Sequence, residues 1–435
     1  MAIWTRREEA FDGVPAGARV VANNCCGTPL TLLQALADHA ERVGPIELMA
    51  GLLLGDPPLE RAVRSGALRL RTWHVYGNLR KLFREGLVDY VPTRLLDVPD
   101  VILSSADVAL VRVSPPDAEG WCSLGPSTTF AQAAIDRARL VIAEVADDVP
   151  RTCGESRVHE SRIDRFVRSE TPMPEYVSGP TDDVSRAVAR HVLQILPDGA
   201  TLQLGIGAIT EALAVDLARE AKARSFGLVG LVTESMIPLV EAIAEAGRGP
   251  VRSVELMGGR ALMEWADGNP AVQMLSSQHV HNPIELAALP RVVSVNSAIA
   301  VDLRGQVVAE SVRGAVLAGV GGSADFSEGA HLSPGGLRII AIRSTTRDGA
   351  STIVPTHHPA DAITAPHHSV DAVVTEHGVA WLRGRSRRER AAALAAVAAP
   401  EHRAALLDGA PPAVGPAPAS PAPAAHQPST PKDAP

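Results

Sequence analysis

The sequence predicts an α/β protein made of two related open lobes, with mostly parallel buried sheets and a cleft between them. Short, nearly continuous apolar runs recur along the chain, as in parallel strands that helices cover on both faces. Segments with helical spacing lie between these runs, behind turn or cap residues. Two stretches, beginning at Pro15 and Pro197, each contain a turn, a strand, a Gly-bearing loop and a helix, which indicates that the lobes are related.

The individual elements follow from these two patterns. The apolar runs predict strands at residues 18–22, 107–114, 140–145, 201–205, 226–233 and 337–342. The helical spacing predicts helices at residues 29–42, 185–196, 209–220, 236–246 and 386–397. This alternation of strand and helix is typical of an α/β fold.

The length and a change in composition predict the domain organisation. A chain of 435 residues is long enough for two domains. A stretch rich in Pro, Gly and Asp at residues 172–183 marks the boundary, so we expect domains at residues 1–180 and 181–408. Residues 409–435 are rich in Pro and Ala and have almost no large apolar side chain, which predicts a disordered tail with no catalytic part.

Charge and composition exclude several classes of partner. The net charge is −8, and the Arg residues are scattered among Asp and Glu, so we expect no nucleic-acid partner. There is no apolar run of about 18 residues, and the first residues carry charges where a signal peptide is apolar, so we expect no membrane partner and no secretion. The four cysteines lack metal spacing, and the adjacent pair Cys25 and Cys26 is a poor disulfide candidate, which favours a reducing, cytoplasmic location.

A first candidate site is the loop after the predicted strand 201–205. Gly205 and Gly207 lie between this strand and a helix, where backbone N–H groups can face an anion. A dinucleotide fingerprint would need a third Gly at Thr210, which argues against an NAD site. A nucleotide-triphosphate loop is excluded because no Gly is followed by Lys and then Ser or Thr.

The next strand ends on a carboxylate, Glu234. Ligands bind at the carboxyl ends of strands in open α/β sheets, so this carboxylate is placed for chemistry. Glu234 also precedes a helix, so an ordinary helix-capping acid is an equally good interpretation of the residues alone.

A second glycine-rich stretch occupies residues 318–326. Its unhindered amides suit an oxyanion or a closely bound ligand, or simply a tight turn. No His has the spacing of a zinc hydrolase and there is no GxSxG elbow, so we expect neither a metal site nor a serine nucleophile.

Together these segments resemble the acetyl-CoA hydrolase/transferase family of class I CoA-transferases. The similarity covers nearly everything except the tail. It is carried by VSPPDAEGWCSLGPS (113–127), EVADDVPRTCGESRVHESRID (144–164), TLQLGIGAI (201–209), NPAVQM (269–274), VNSAIAVDLRGQVVAES (295–311), AGVGGSADF (318–326), GGLRIIAI (335–342) and VVTEHGVAWLRGRSRRERA (373–391), together with the LVTES strand end.

The resemblance implies a role for each candidate residue. Glu234 would be the nucleophile, and the amides of the glycine loop, including Gly322, would hold the thioester oxyanion. Coenzyme A (CoA) or acyl-CoA would be a substrate, with no permanently bound cofactor, and a small carboxylate would be the second substrate. A homo-oligomer is also implied. The implied CoA contacts are Gly205, Ile206, Gly207, Ala208, Ile209, Gly319 and Gly321.

Five positions differ from the pattern expected in this family. In this chain Ala300 stands where the family usually has Glu, Ser235 where it has Met, and Ser323 where it has Gln. Thr352 stands where the family usually has Arg, and His377 where it has Tyr. None of them removes Glu234, but they alter the surroundings in which the acid would bind. Three functions therefore follow from the sequence: a CoA-transferase, an acyl-CoA hydrolase or acyltransferase on the same site, and a non-catalytic CoA-binding protein.

Overall fold

A computed structural model describes residues 3–77 and 79–408 of the chain. Two large sheets form its framework, one of eight strands and one of nine, and helices pack against both. The predicted α/β fold class with mostly parallel sheets is confirmed. The predicted disordered tail, residues 409–435, lies outside the described residues.

The first sheet is parallel throughout. Two apolar clusters cover its two faces; one contains Val20 and Leu48, and the other contains Val21 and Met49. Neighbouring residues on a strand thus face opposite clusters, which is why these strands are nearly continuous in apolar residues. In spatial order the strands are Ile3–Thr5, Arg165–Arg168, Leu140–Val145, Val108–Val113, Arg19–Ala22, Ile46–Ala50, Leu68–Thr72 and Val88–Tyr90.

The second sheet is parallel except for its first pair of strands, which is antiparallel. Its central strands carry the candidate site at their carboxyl ends. In spatial order the strands are Gly378–Trp381, Ala372–Thr375, Leu337–Ala341, Val292–Asn296, Thr201–Leu204, Gly227–Thr233, Val251–Met257, Val272–Met274 and Cys153–Gly154.

Three small sheets complete the strands. They pair Trp121–Ser123 with Arg157–His159; Ala300–Asp302 with Val307–Val308 and Ile353–Val354; and Ser311–Val312 with Ala315–Val316. The α-helices are Leu30–Val43, Glu60–Arg64, Leu79–Arg84, Val98–Val101, Ala131–Arg137, Asp183–Ile195, Ala208–Arg224, Ile237–Glu245, Arg260–Ala266, Ser277–Val280, Pro283–Ala287, Ser323–Leu332, Arg387–Val397 and Arg403–Asp408.

Every strand and helix predicted from the sequence is present, with ends that differ by a few residues. The largest difference is at the helix predicted for 209–220, which runs from Ala208 to Arg224. The division into domains 1–180 and 181–408 remains a prediction. The short strand Cys153–Gly154 precedes this boundary but pairs with Val272–Met274 in the second sheet.

The two lobes pack directly on each other. Cys25, Cys26, Leu52 and Leu54 follow strands of the first sheet, yet they belong to the main apolar cluster of the second lobe. Burial of these side chains between the lobes stabilises one relative arrangement of the two sheets. Within residues 3–77 and 79–408, no helix is long and apolar enough to cross a bilayer.

Candidate active site

Glu234 lies directly after the strand Gly227–Thr233 and begins a single 3-10 turn, Glu234–Met236. Its side chain is exposed, and its Oε2 accepts a hydrogen bond from the Gly259 N–H at 3.3 Å. Gly259 immediately precedes the helix Arg260–Ala266. The residues that cap this turn and the helix Ile237–Glu245 are Thr233 and Met236, and neither makes a side-chain capping hydrogen bond. The observed partner of the Glu234 carboxylate is the Gly259 amide on the adjacent strand end, not the helix that Glu234 precedes in sequence.

Gly258 and Gly259, the segment beside Glu234, are hydrogen-bonded to residues outside the second sheet. A Cβ on Gly258 would lie 2.8 Å from Leu262 and 3.4 Å from the Cβ of Glu234, so glycine permits this close approach. The Gly258 carbonyl accepts hydrogen bonds from the Tyr176 N–H at 3.1 Å and from the Cys26 thiol at 3.6 Å. Burial raises the pKa of Cys26 to about 12, so this thiol stays protonated and serves as a donor rather than a nucleophile.

A buried carboxyl group, Glu211, lies beside the turn that carries Glu234. It accepts hydrogen bonds from the hydroxyls of Ser178 at 2.8 Å, Thr233 at 3.0 Å and Ser235. Sequence reasoning missed Glu211 because an acid in the first turn of a helix has an ordinary role there. The departure at Ser235 was the available signal, since it places a hydroxyl beside the predicted nucleophile.

The predicted CoA loop, residues 205–209, begins at the end of the strand Thr201–Leu204, which pairs with the Glu234 strand. Residues 206–209 line a cavity of about 750 Å³. Asn296 and Ala341, at the carboxyl ends of two further strands, line the same cavity. The structure thus brings this loop and Glu234 to the ends of adjacent strands. Gly205 itself is not among the residues that line the cavity.

Two arginines, Arg343 and Arg347, also line this cavity. Arg343 forms an ion pair with Asp182 at 2.6 Å, and this guanidinium lowers the pKa of the Asp182 carboxyl. The altered residue Thr352 lies in the same wall, where its hydroxyl donates to the Arg343 carbonyl at 2.5 Å. Asp182 lines the same cavity, so two arginines and one aspartate give its wall a net positive charge beside a helix N-terminus, which suits an anionic ligand.

The glycine loop, residues 319–322, packs against the first lobe. A Cβ on Gly319 would lie 2.2 Å from the Trp73 carbonyl oxygen, and Gly321 accepts a hydrogen bond from the Leu95 N–H at 3.2 Å. A Cβ on Gly322 would lie 2.2 Å from His281. Among the described residues, no hydrogen bond joins this loop to Glu234 or to residues 205–209. The structure explains Gly319 and Gly322 by close packing and Gly321 by its positive φ of 59°, and their role toward an oxyanion stays a prediction.

The remaining altered positions are Ser323, Ala300 and His377. Ser323 lines a separate cavity of about 380 Å³, together with Arg94 and Arg338. Ala300 begins a strand of a small sheet, and His377 lies 3.8 Å from the carboxylate of Glu376. Thr352 is thus the altered position that lies in the cavity beside the predicted CoA loop.

Known proteins share both the sequence and the fold. Residues 3–174 match the acetyl-CoA hydrolase/transferase N-terminal domain, and residues 258–410 match the C-terminal domain of that family. The 4-hydroxybutyrate coenzyme A transferase of Clostridium kluyveri is 36% identical, over 92% of this chain and 95% of its own length. The butyryl-CoA:acetate CoA-transferase of Anaerostipes caccae is 31% identical, over 93% and 94%.

The fold is similar to that of RipA from Yersinia pestis, with a TM-score of 0.85, 27% identity and coverage of 94% of this chain and 96% of that one. Sequence and structure thus agree over almost the whole described chain. The chain belongs to the acetyl-CoA hydrolase/transferase family and is an enzyme of its class I CoA-transferase type.

Proposed function

We propose that this enzyme moves CoA from a short-chain acyl-CoA to a small carboxylic acid, with Glu234 as the nucleophile. The observation that carries the proposal is the placement of Glu234: an exposed carboxylate at a strand end, fixed by the Gly259 amide and adjacent to the strand that leads into the 750 Å³ cavity. The names of the relatives support acyl-CoA and carboxylate substrates.

The proposed reaction is a ping-pong sequence through a mixed anhydride, a glutamyl-CoA thioester and a second mixed anhydride. A Glu234 oxygen attacks the thioester carbonyl, the carbon–sulfur bond breaks, and CoA leaves as a thiolate, which gives a mixed anhydride. The thiolate then attacks the glutamyl carbonyl and releases the first acid as its carboxylate. A second carboxylate attacks the resulting glutamyl-CoA thioester, and the same steps in reverse form the new acyl-CoA and regenerate Glu234.

The cavity supplies the proposed CoA site. Residues 206–209 open the helix Ala208–Arg224, and their backbone amides and the helix dipole favour the CoA phosphates. Arg343 and Arg347 add positive charge to the same wall. Gly205 would shape the entry to the loop. The amides of Gly319, Gly321 and Gly322 would stabilise the thioester oxyanion, as the family resemblance implies.

Acyl-CoA hydrolysis on the same site is the second candidate. The Glu234 side chain is exposed, so water has access to the carbonyl on which glutamyl-CoA would form. The family to which the chain belongs also includes hydrolases by name. Transfer and hydrolysis would share every step up to glutamyl-CoA, and the competition between water and the second acid would decide the product.

Three further parts of the proposal rest on sequence and resemblance. The division into domains 1–180 and 181–408 follows the composition of the linker. A cytoplasmic location is supported by four cysteines that are all free. A homo-oligomeric state follows from the family resemblance.

Exchange of a labelled acid tests the proposal. Wild-type enzyme should incorporate labelled acetate into acetyl-CoA, or labelled butyrate into butyryl-CoA, with no second acid present, because a ping-pong half-reaction is reversible. Glu234→Ala should abolish this exchange. Thioester loss without added acid would identify the hydrolase. CoA binding without exchange or hydrolysis would contradict the catalytic proposal and identify a non-catalytic CoA-binding protein.

A further inference from the structure

Glu211 is only 3% exposed, although it is an acidic residue. One carboxyl oxygen accepts from Ser178, and the other accepts from both Thr233 and Ser235. Buried carboxyl groups need such partners because they have lost the hydrogen bonds of water. Hydroxyls from two different segments thus take the place of water as the hydrogen-bond partners of the Glu211 carboxyl group.

Two of these three hydroxyls flank Glu234 directly. Thr233 is the last residue of the strand and is fully buried, while Ser235 follows Glu234 within the 3-10 turn. The Thr233 and Ser235 hydroxyls also lie 3.3 Å from each other. A single carboxyl oxygen therefore holds the residues on both sides of the nucleophile, which restricts the backbone that aims Glu234.

The same residue connects the nucleophile to the cavity wall. Glu211 lies in the first turn of the helix Ala208–Arg224, and its N–H donates to the Gly207 carbonyl at 3.0 Å. Gly207 and Ala208 line the 750 Å³ cavity. A shift of the strand end relative to this helix would break the hydrogen bonds that Glu211 accepts, so Glu211 fixes the distance between the cavity and Glu234.

We propose that Glu211 is a positioning residue, which acts through the Thr233 and Ser235 hydroxyls to hold Glu234 in its attacking geometry toward a thioester bound in the cavity. The inference rests on the proposed function of Glu234. It assigns no proton transfer and no covalent step to Glu211. Its contribution is orientation, which accelerates reactions by holding the reacting atoms near their attack geometry.

A purely structural role makes a different prediction. Glu211 also accepts from Ser178, which lies in the segment that connects the two lobes. If Glu211 only anchored that segment, Ser178→Ala would matter as much as changes at Thr233 and Ser235. Ser178→Ala is therefore the matched control, because it removes one hydroxyl partner of the same carboxyl without touching the neighbours of Glu234.

The experiment measures the rate of glutamyl-CoA formation in a single turnover, together with kcat, KM and thermal unfolding. The variants are Glu211→Gln, the hydroxyl-free pair Thr233→Val with Ser235→Ala, the triple variant, and Ser178→Ala. Glu211→Gln and the hydroxyl-free pair should each lower the rate about tenfold or more, with KM for acyl-CoA nearly unchanged. Ser178→Ala should keep the wild-type rate.

The triple variant should react at the rate of the hydroxyl-free pair, because without the two hydroxyls Glu211 makes no hydrogen bond to the neighbours of Glu234 in either variant. Multiplicative losses in the triple variant, or a wild-type rate in the hydroxyl-free pair, would overturn the proposal. The pair remains decisive if Glu211→Gln fails to fold. If wild-type enzyme forms no glutamyl-CoA at all, the proposed function fails instead, so the two failures are distinguishable.

Discussion

The Ser127 hydroxyl donates a hydrogen bond of 2.8 Å to the Glu255 carboxyl group, across the interface between the two lobes. The Thr129 hydroxyl donates to the same carboxyl oxygen. Glu255 lies on the strand Val251–Met257 and is buried. Burial raises the pKa of Glu255 to about 8, so this interface contains a carboxyl group that is mainly protonated at neutral pH.

The raised pKa of Glu255 predicts a loss of stability as the pH rises. Between about pH 4.5 and pH 8 the folded state keeps a proton that the unfolded state has released, so the free energy of unfolding falls by at most about 1.4 kcal/mol per pH unit. Glu255→Gln removes the ionisable carboxyl group and keeps the size and shape of the side chain. Urea unfolding at pH 5.5 and 7.5 should show that the wild type loses about 2 kcal/mol more than Glu255→Gln. Equal losses in the two proteins would show that Glu255 is already ionised in the folded state.

The close contact of Gly319 predicts a steric effect. A methyl group there would lie 2.2 Å from the Trp73 carbonyl oxygen and 3.0 Å from the His74 Cα, which are backbone atoms that cannot rotate away. Gly319→Ala should lower the free energy of unfolding by about 1–3 kcal/mol. Gly179→Ala is the control, since a Cβ on Gly179 meets nothing within 4 Å. Unfolding in urea measures both, and equal stabilities would contradict the packing described for the glycine loop.

The charge of Arg343 predicts a selective effect on CoA binding. Its side chain lines the 750 Å³ cavity beside the start of a helix. Arg343→Ala should raise KM for acyl-CoA about tenfold with little change in kcat. In the wild type, the Arg343 contact would stabilise the bound ground state and the transition state equally, so its loss weakens binding alone. KM for an acyl-pantetheine, which lacks the nucleotide and its phosphates, should not change. Arg219→Ala, on the exposed side of the same long helix that opens the cavity, is the control. An equal rise in KM for both thioesters would contradict a phosphate contact.

Local patterns predicted six strands and five helices of the framework, but not other strands such as Ile46–Ala50, Val251–Met257 and Val292–Asn296. The strands Val108–Val113 and Leu140–Val145 are buried along almost their whole length, so their apolar runs are visible in the sequence. The resemblance to the family, not the residues alone, singled out Glu234 as the predicted nucleophile, since the residues alone left a capping role equally open. The structure adds the Gly259 amide as the partner of that carboxylate.

The contacts that hold the site were not predictable because they join distant segments. Glu211 meets Ser178, Thr233 and Ser235 only after the helix Ala208–Arg224 has packed beside the strand end. Ser127 lies 128 residues before Glu255 in the chain. No local spacing signals such pairs, and each of these polar residues alone would be typical of a helix start, a turn or a strand.

Trapping of the covalent intermediate tests directly whether Glu234 is the nucleophile. The enzyme is incubated with acetyl-CoA or butyryl-CoA and reduced with borohydride, which converts a glutamyl thioester to an alcohol, and the modified residue is located by mass spectrometry. We expect modification of Glu234 in the wild type and none in Glu234→Ala. Turnover without modification of Glu234, or modification of a different residue, would contradict the nucleophile role of Glu234.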